Sequence, residues 1–91
     1  MDENELATAL DMVKKRLNRL DNNLDSYLTA RTRAAYDTLI GWGIHPDLTV
    51  WGDMMTLVDL TVWQYSNRDA VGGMPEWLRK RRNDRWLQER R

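Results

Sequence analysis

The chain has 91 residues and balances 14 Lys plus Arg against 14 Asp plus Glu, for a formal net charge of zero. That balance excludes a generic polycationic nucleic-acid coat and a strongly acidic solvating tail, and 31% charged with 42% apolar residues suits a globular chain rather than a disordered one. With no cysteine there is no disulfide framework, thiolate nucleophile or thiolate metal site, which suits a reducing cytoplasm.

A chain of this length predicts one domain, residues 1–91, and buries only about 60–65% of its unfolded surface, so its stability is modest unless subunits assemble. The acidic start, with Asp2, Glu3 and Glu5, is the opposite of a signal peptide. No apolar run approaches the ~20 residues of a membrane span, so the expectation is an intracellular domain with no membrane partner.

In chain order, Leu6, Leu10, Val13, Leu17, Leu20 and Leu24 recur at alternating gaps of 4 and 3, an apolar stripe of helical period. Read alone, this stripe could carry one helix as far as residue 42. The cluster Leu20-Asp21-Asn22-Asn23-Leu24-Asp25 opposes that, because these polar residues prefer caps and turns to helix interiors. The sequence therefore predicts a first helix over about 4–18, a break near 19–22, and Asp21 or Asn22 capping a second helix.

The second helix, about 22–42, places Leu24, Leu28, Thr32, Ala35, Leu39 and Trp42 on one face. Ala30, Ala34 and Ala35 allow close approach by a neighbouring helix, and Gly43 stands where a left-handed C-terminal residue is usual. His45-Pro46-Asp47 then turns the chain, since the residue before proline is pushed out of the helical region.

A third helix over about 50–68 carries Met54, Leu57, Val58, Thr61, Val62 and Tyr65 on one face, with Trp51, Met55, Leu60 and Trp63 on others. A helix apolar on more than one side is either central in the domain or covered by a partner subunit, and both remain open. A short loop over residues 70–74 leads to Pro75, placed as the first residue of a fourth helix over about 75–89. No segment alternates as a strand would. The predicted fold is all-α, a compact bundle of three to four helices.

Catalytic groups are sparse. His45 is the single histidine and sits in a turn, without a set of His, Asp and Glu at metal-ligand spacing around it. Asp53 and Asp59 lack basic partners at helical spacing; the simpler reading has Asp53 favouring the start of its helix and Asp59 facing solvent or a partner. Neither Gly41-Trp42-Gly43 nor Gly72-Gly73 has the strand-before, helix-after context of a phosphate loop. The chain therefore reads as a non-enzyme with no cofactor, no metal and no catalytic residues.

The zero net charge conceals polarity. Residues 1–73 carry 7 basic and 11 acidic groups, a balance of −4, whereas residues 74–91 carry 7 basic and 3 acidic, a balance of +4. Arg79, Lys80, Arg81, Arg82 and Arg85 are interleaved with Trp77 and Trp86. On a helix Arg79, Arg82 and Trp86 share one face, and Leu78, Arg81 and Arg85 form the next stripe. These cations suit a phosphate backbone, an acidic protein surface, or simply the negative end of their own helix. Pairing with acidic residues of another copy would explain them as well, and a head-to-tail ring would use such polarity directly. Trp51, Trp63 and Tyr65 are candidates for core or subunit contact; five Trp around so small a core suggest that some lie at subunit contacts, with Trp51, Trp63, Trp77 and Arg68 the interface candidates.

Several stretches resemble the small head–tail connector (adaptor) proteins of tailed bacteriophages, often labelled DNA-packaging proteins. They are Val13-Lys14-Lys15-Arg16-Leu17, then Leu28 through Ala35 and Leu39 leading to Gly43-Ile44, then Val62-Trp63-Gln64-Tyr65-Ser66-Asn67-Arg68-Asp69. The most telling piece is Gly73-Met74-Pro75-Glu76-Trp77-Leu78-Arg79, followed by Asn83 and Trp86, similar to the Met-Pro start of the family's last helix. The resemblance covers about residues 10–87. It implies a structural virion protein, a homo-oligomeric ring on the portal vertex, with DNA passing through and tail or head-completion proteins docking below. It also implies location in the virion, and in the bacterial cytoplasm during assembly. Against the family pattern, little chain follows the last helix and that helix is unusually arginine-rich. The alternative, from another class, is a small regulatory nucleic-acid-binding module that uses the arginine helix.

Overall fold

The computed structural model describes residues 1–18, 22–67 and 75–89. In chain order these form α1 (Glu3–Arg16), α2 (Asp25–Gly41), α3 (Trp51–Ser66) and α4 (Glu76–Glu89). No strand occurs among the described residues, so the all-α expectation holds. No helix among them is long and apolar enough to cross a membrane.

A reciprocal capping box starts α1. Asp2 Oδ1 accepts from the Glu5 backbone N–H at 2.7 Å, and Glu5 Oε1 accepts from the Asp2 N–H at 3.1 Å. Two amide donors that the helix cannot satisfy internally thus gain partners, with both carboxylates at the positive end of the helix dipole. The helix ends at Arg16, and Asn18 takes a left-handed φ of 56°, which Asn tolerates better than most residues. Helix α1 thus ends two residues before its expected limit at 18, and residues 19–21 of the expected break lie outside the described residues.

The expected cap on α2 does not form as the sequence suggested. Leu24 occupies the capping position without a side-chain bond, and Asp21 lies outside the described residues. Asn22 instead presents its side-chain oxygen to Lys14 Nζ at 3.0 Å, while the same ammonium pairs with Asp25 at 2.8 Å. A cation at the end of α1 draws Asn22 more strongly than neutral amides do. The result is a charged clasp across the corner.

Gly43, at φ 84°, follows α2 in the left-handed conformation that terminates helices, and its N–H donates to the Ile40 carbonyl at 2.9 Å. The Ile44 N–H reaches back to the Leu39 carbonyl at 3.0 Å, and the Ile44 side chain enters the core.

Helix α3 is the central element. It packs against α1, α2 and α4, and its middle residues Thr56–Thr61 are all buried. Leu6, Ala9 and Val13 meet it from α1, and Leu28, Thr32, Ala35 and Leu39 from α2. Of the two explanations for its broad apolar surface, centrality within one chain therefore accounts for most of it. The buried hydroxyls of Thr32 and Thr61 donate to the Leu28 and Leu57 carbonyls at 2.8 Å, so neither leaves an unsatisfied donor in the core. Ala35 faces that core, whereas Ala30 and Ala34 are less buried, so only one of the three alanines serves close helix packing within the chain.

Helix α4 is attached differently. Its one buried residue is Leu78, and among the described helices it packs against α3 alone. Pro75 stands just before the helix rather than inside it, its carbonyl accepting the Arg79 N–H at 3.0 Å. The expected loop over residues 70–74, the candidate Arg68, and the terminal Arg90 and Arg91 lie outside the described residues.

Candidate functional site

The five cations proposed for binding divide into two sets. Leu78, Arg81 and Arg85, one stripe of the helix in the sequence, turn toward α3. Arg81 Nη1 donates to Asp59 Oδ2, and Arg16 Nη1, at the end of α1, donates to Asp59 Oδ1 at 2.6 Å. Asp59 is 6% exposed, so it does not face solvent or a partner as the sequence suggested. The correction has a plain cause: a carboxylate displaced from water needs charged donors, and two guanidiniums from different helices supply them.

Asp53 is held in the same way nearer the start of α3. Arg85 grips it with Nε at 2.8 Å from Oδ1 and Nη2 at 3.2 Å from Oδ2. The Asp47 backbone N–H also donates to Asp53 Oδ2, at 2.8 Å. Arg85 Nη2 in turn reaches the His45 carbonyl at 2.9 Å and Glu89 Oε1 at 3.0 Å, and Glu89 Oε1 accepts the His45 N–H at 2.9 Å. The turn at residues 45–47 is thus held from both sides. Hydrogen bonding to Asp53, opposed by burial and reinforced by the charges of Asp53 and Glu89, makes Arg85 an even weaker acid than usual. The His45 N–H, ahead of the attraction of Arg85, holds the Glu89 carboxyl below its ordinary range.

The explanation that these arginines merely complement their helix dipole does not fit the geometry, because the last turn of α4 contains no basic residue. The cations stand before that turn, and internal carboxylates decide the positions of Arg81 and Arg85.

Outside this seam, α4 borders two recesses. On one side a groove of about 580 Å³ runs between α3 and α4, with Gly52, Met55 and Thr56 on the α3 side. Trp51, 70% exposed, and Trp77, 51% exposed, line it, and the Arg81 guanidinium sits 5.5 Å from the Trp77 ring centroid. Lys80 and Asp84 add opposite charges to its α4 wall. On the other side, a cleft of about 290 Å³ is lined by Trp42, Arg82, Asn83 and Trp86. The Arg82 guanidinium lies 5.0 Å from the Trp42 ring centroid, and its Nε donates to Asn83 Oδ1 at 3.2 Å.

Of the interface candidates, Trp51 and Trp77 come together at the groove. Trp63 is half-buried and packs against the core instead, because its side of α3 is covered within the chain. Arg79 and Lys80 are exposed, and Arg82 stacks against Trp42. The sequence reading missed the Trp42–Trp86 cleft, which forms only when Trp42, just beyond α2, meets side chains of α4. It also missed both aspartate acceptors. A signal did exist: Asp53 and Asp59 on α3 answer Arg85 and Arg81 on α4 in reverse order, as antiparallel helices require.

His45 lies in an exposed turn, its Nδ1 3.7 Å from Glu89 Oε2. No group of three or more His, Asp or Glu among the described residues is arranged to hold a metal ion. No protein-family model, curated protein or solved structure matches the chain.

Proposed function

We propose that this chain is a structural assembly protein, a head–tail connector (adaptor) subunit that forms a ring on the portal vertex of a tailed bacteriophage and joins capsid to tail. The observation that carries the reading is the pair of exposed indoles, Trp51 and Trp77, flanking an open groove between α3 and α4. Large aromatic surface left in water on a small domain is characteristic of surfaces that other proteins cover. The Met74-Pro75 sequence ahead of the last helix and the other stretches that resemble connector proteins supply the specific partner, a portal protein, with tail or head-completion proteins below.

The test is co-expression with the portal protein of the same genome, followed by affinity capture and negative-stain imaging. Rings seated on portals support the proposal, and Trp51→Ala combined with Trp77→Ala should abolish capture while changing stability by no more than about 1 kcal/mol, since both rings are exposed. A chain that neither binds the portal nor forms rings in its presence overturns it.

The nucleic-acid-binding alternative draws on Arg79 and Lys80, which are exposed on α4, and on Arg82, half-buried against Trp42. Arg81 and Arg85 are already engaged by Asp59 and Asp53, which weakens it. Three phosphate contacts predict a log–log salt slope of only about −2.7 on duplex DNA. Absence of DNA binding at low salt removes this reading.

A further inference from the structure

Internal ion pairs divide the charges of the chain into those closed within the domain and those left at its surface. Lys14 is taken by Asp25, Lys15 by Asp11, Arg16 and Arg81 by Asp59, and Arg85 by Asp53 and Glu89. At the start of α1, Asp2 and Glu5 are occupied by the capping box, while Glu3 is exposed and pairs with no cation among the described residues. On α4, Arg82 likewise pairs with no carboxylate among the described residues.

We infer that the Trp42–Trp86 cleft beside Arg82 receives the acidic first turn of α1 from a second copy of this chain, with Glu3 as the residue that enters. This inference rests on the assembly reading above and names one of its contacts.

The chemistry of the cleft favours a carboxylate. Stacking on Trp42 holds the Arg82 guanidinium in place, and its Nε is occupied by Asn83 Oδ1. Both Nη groups and the Asn83 amide nitrogen remain as neighbouring donors, a match for the two oxygens of a carboxylate. Because the guanidinium is already ordered, less side-chain entropy is lost on binding than at a free surface arginine. Trp42 and Trp86 provide apolar walls for the methylene stem of the incoming side chain.

The larger groove is the poorer receptor for an acidic segment. Its cations Arg81 and Arg85 are already engaged by Asp59 and Asp53, and its remaining cation Lys80 is offset by Asp84, which leaves little net attraction for an incoming carboxylate. The cleft carries one cation and no carboxylate. A second copy is also the acidic partner guaranteed to be present, with three carboxylates within its first five residues. Since donor and receptor are different patches, each copy can give and receive, the arrangement from which closed assemblies are built.

The experiment is sedimentation equilibrium of the full chain at low salt over a concentration series, with Arg82→Glu, Glu3→Arg, their equimolar mixture, and the double variant. Wild type should self-associate, and each single variant should associate about tenfold more weakly or less. The mixture and the double variant should both recover association, because each restores opposite charges across the contact. Circular dichroism and a urea midpoint verify that every variant folds.

Single variants that associate like wild type, or a mixture that fails to recover, would overturn the inference. So would an Arg82→Glu chain that self-associates normally but loses binding to a duplex oligonucleotide, which would give the cleft to nucleic acid. A wild type that stays monomeric alone but still captures the portal overturns the contact and leaves the assembly proposal standing. Recovery by charge exchange without portal capture does the reverse.

Discussion

Arg85 holds Asp53 through two parallel hydrogen bonds, Nε to Oδ1 at 2.8 Å and Nη2 to Oδ2 at 3.2 Å, between α4 and the first turn of α3. With the Asp59 pairs it forms a charged seam where an ordinary bundle has a second row of leucines. Helix α4 contributes a single buried residue, Leu78, which anchors the helix, while its direction and register come from the arginines. Two ion pairs in antiparallel order, Asp53 with Arg85 and Asp59 with Arg81, admit one register.

Asp59 joins three helices, so its loss should exceed the loss of either arginine. Asp59→Asn leaves Arg16 and Arg81 without a charged acceptor and should destabilise by about 1–3 kcal/mol. Arg81→Met should cost only about 1 kcal/mol, because Arg16 still covers the carboxylate and both arginine side chains are more than 40% exposed. Urea midpoints at neutral pH test the ordering, which reverses if Arg81 alone carries the seam.

Leu78→Ala should release α4 selectively. Truncating a buried leucine costs about 2–4 kcal/mol, and here the loss falls on a helix with no other buried side chain. Hydrogen exchange should accelerate across Glu76–Glu89 far more than across α2 and α3. Uniform acceleration would show that α4 unfolds with the whole domain.

Acid should loosen the turn at residues 45–47. Glu89 and Asp47 both have carboxyls held below their ordinary values of 4.5 and 3.8, Glu89 first by the His45 N–H, Asp47 first by the Thr49 hydroxyl. A depressed folded pKa gives stability that is present above the ordinary value and lost as pH falls through the folded one. The urea midpoint should therefore decline below about pH 4.5, with Glu89→Gln already lower at neutral pH and converging with wild type in acid. Parallel curves for the two proteins would exclude a linked role for Glu89.

Gly43→Ala separates backbone strain from crowding. The added Cβ would stand 3.5 Å from Trp86 Nε1, an ordinary contact, so the cost comes from holding alanine at φ 84°. The expected loss is about 1–2 kcal/mol. Trp86 should keep its environment, checked by a tryptophan emission maximum that stays in place.

Helix existence and order were legible from periodicity alone. Of the stripe read on α1, Leu6 and Val13 are buried while Leu10 and Leu17 are half-buried and Ala9 takes a core place, and the face Leu28, Thr32, Ala35 and Leu39 on α2 buries as a 3.6-residue repeat requires. That the first two helices are separate, though α1 ends at Arg16 rather than near 19–22, and the left-handed Gly43 followed from residue chemistry, because caps and turns are decided by neighbours in the chain. The same locality explains why the cation partners of Asp53 and Asp59 were not legible, although Asp53 does stand in the first turn of α3. Their partners on α4 lie 32 and 22 residues away, beyond any helical spacing.

The sequence by itself determined an all-α chain with a broadly apolar third helix and a basic last helix, since amphipathic period and charge content are properties of single segments. Only the tertiary structure decided which arginines those charges become. Arg81 and Arg85 turn inward because Asp59 and Asp53 are buried opposite them and cannot remain without cations, whereas Arg82 stays outward on Trp42. Zero net charge was therefore a sum of two different things, pairs closed inside the domain and charges left at its surface. Only packing can divide them, because it sets which carboxylates lose their water.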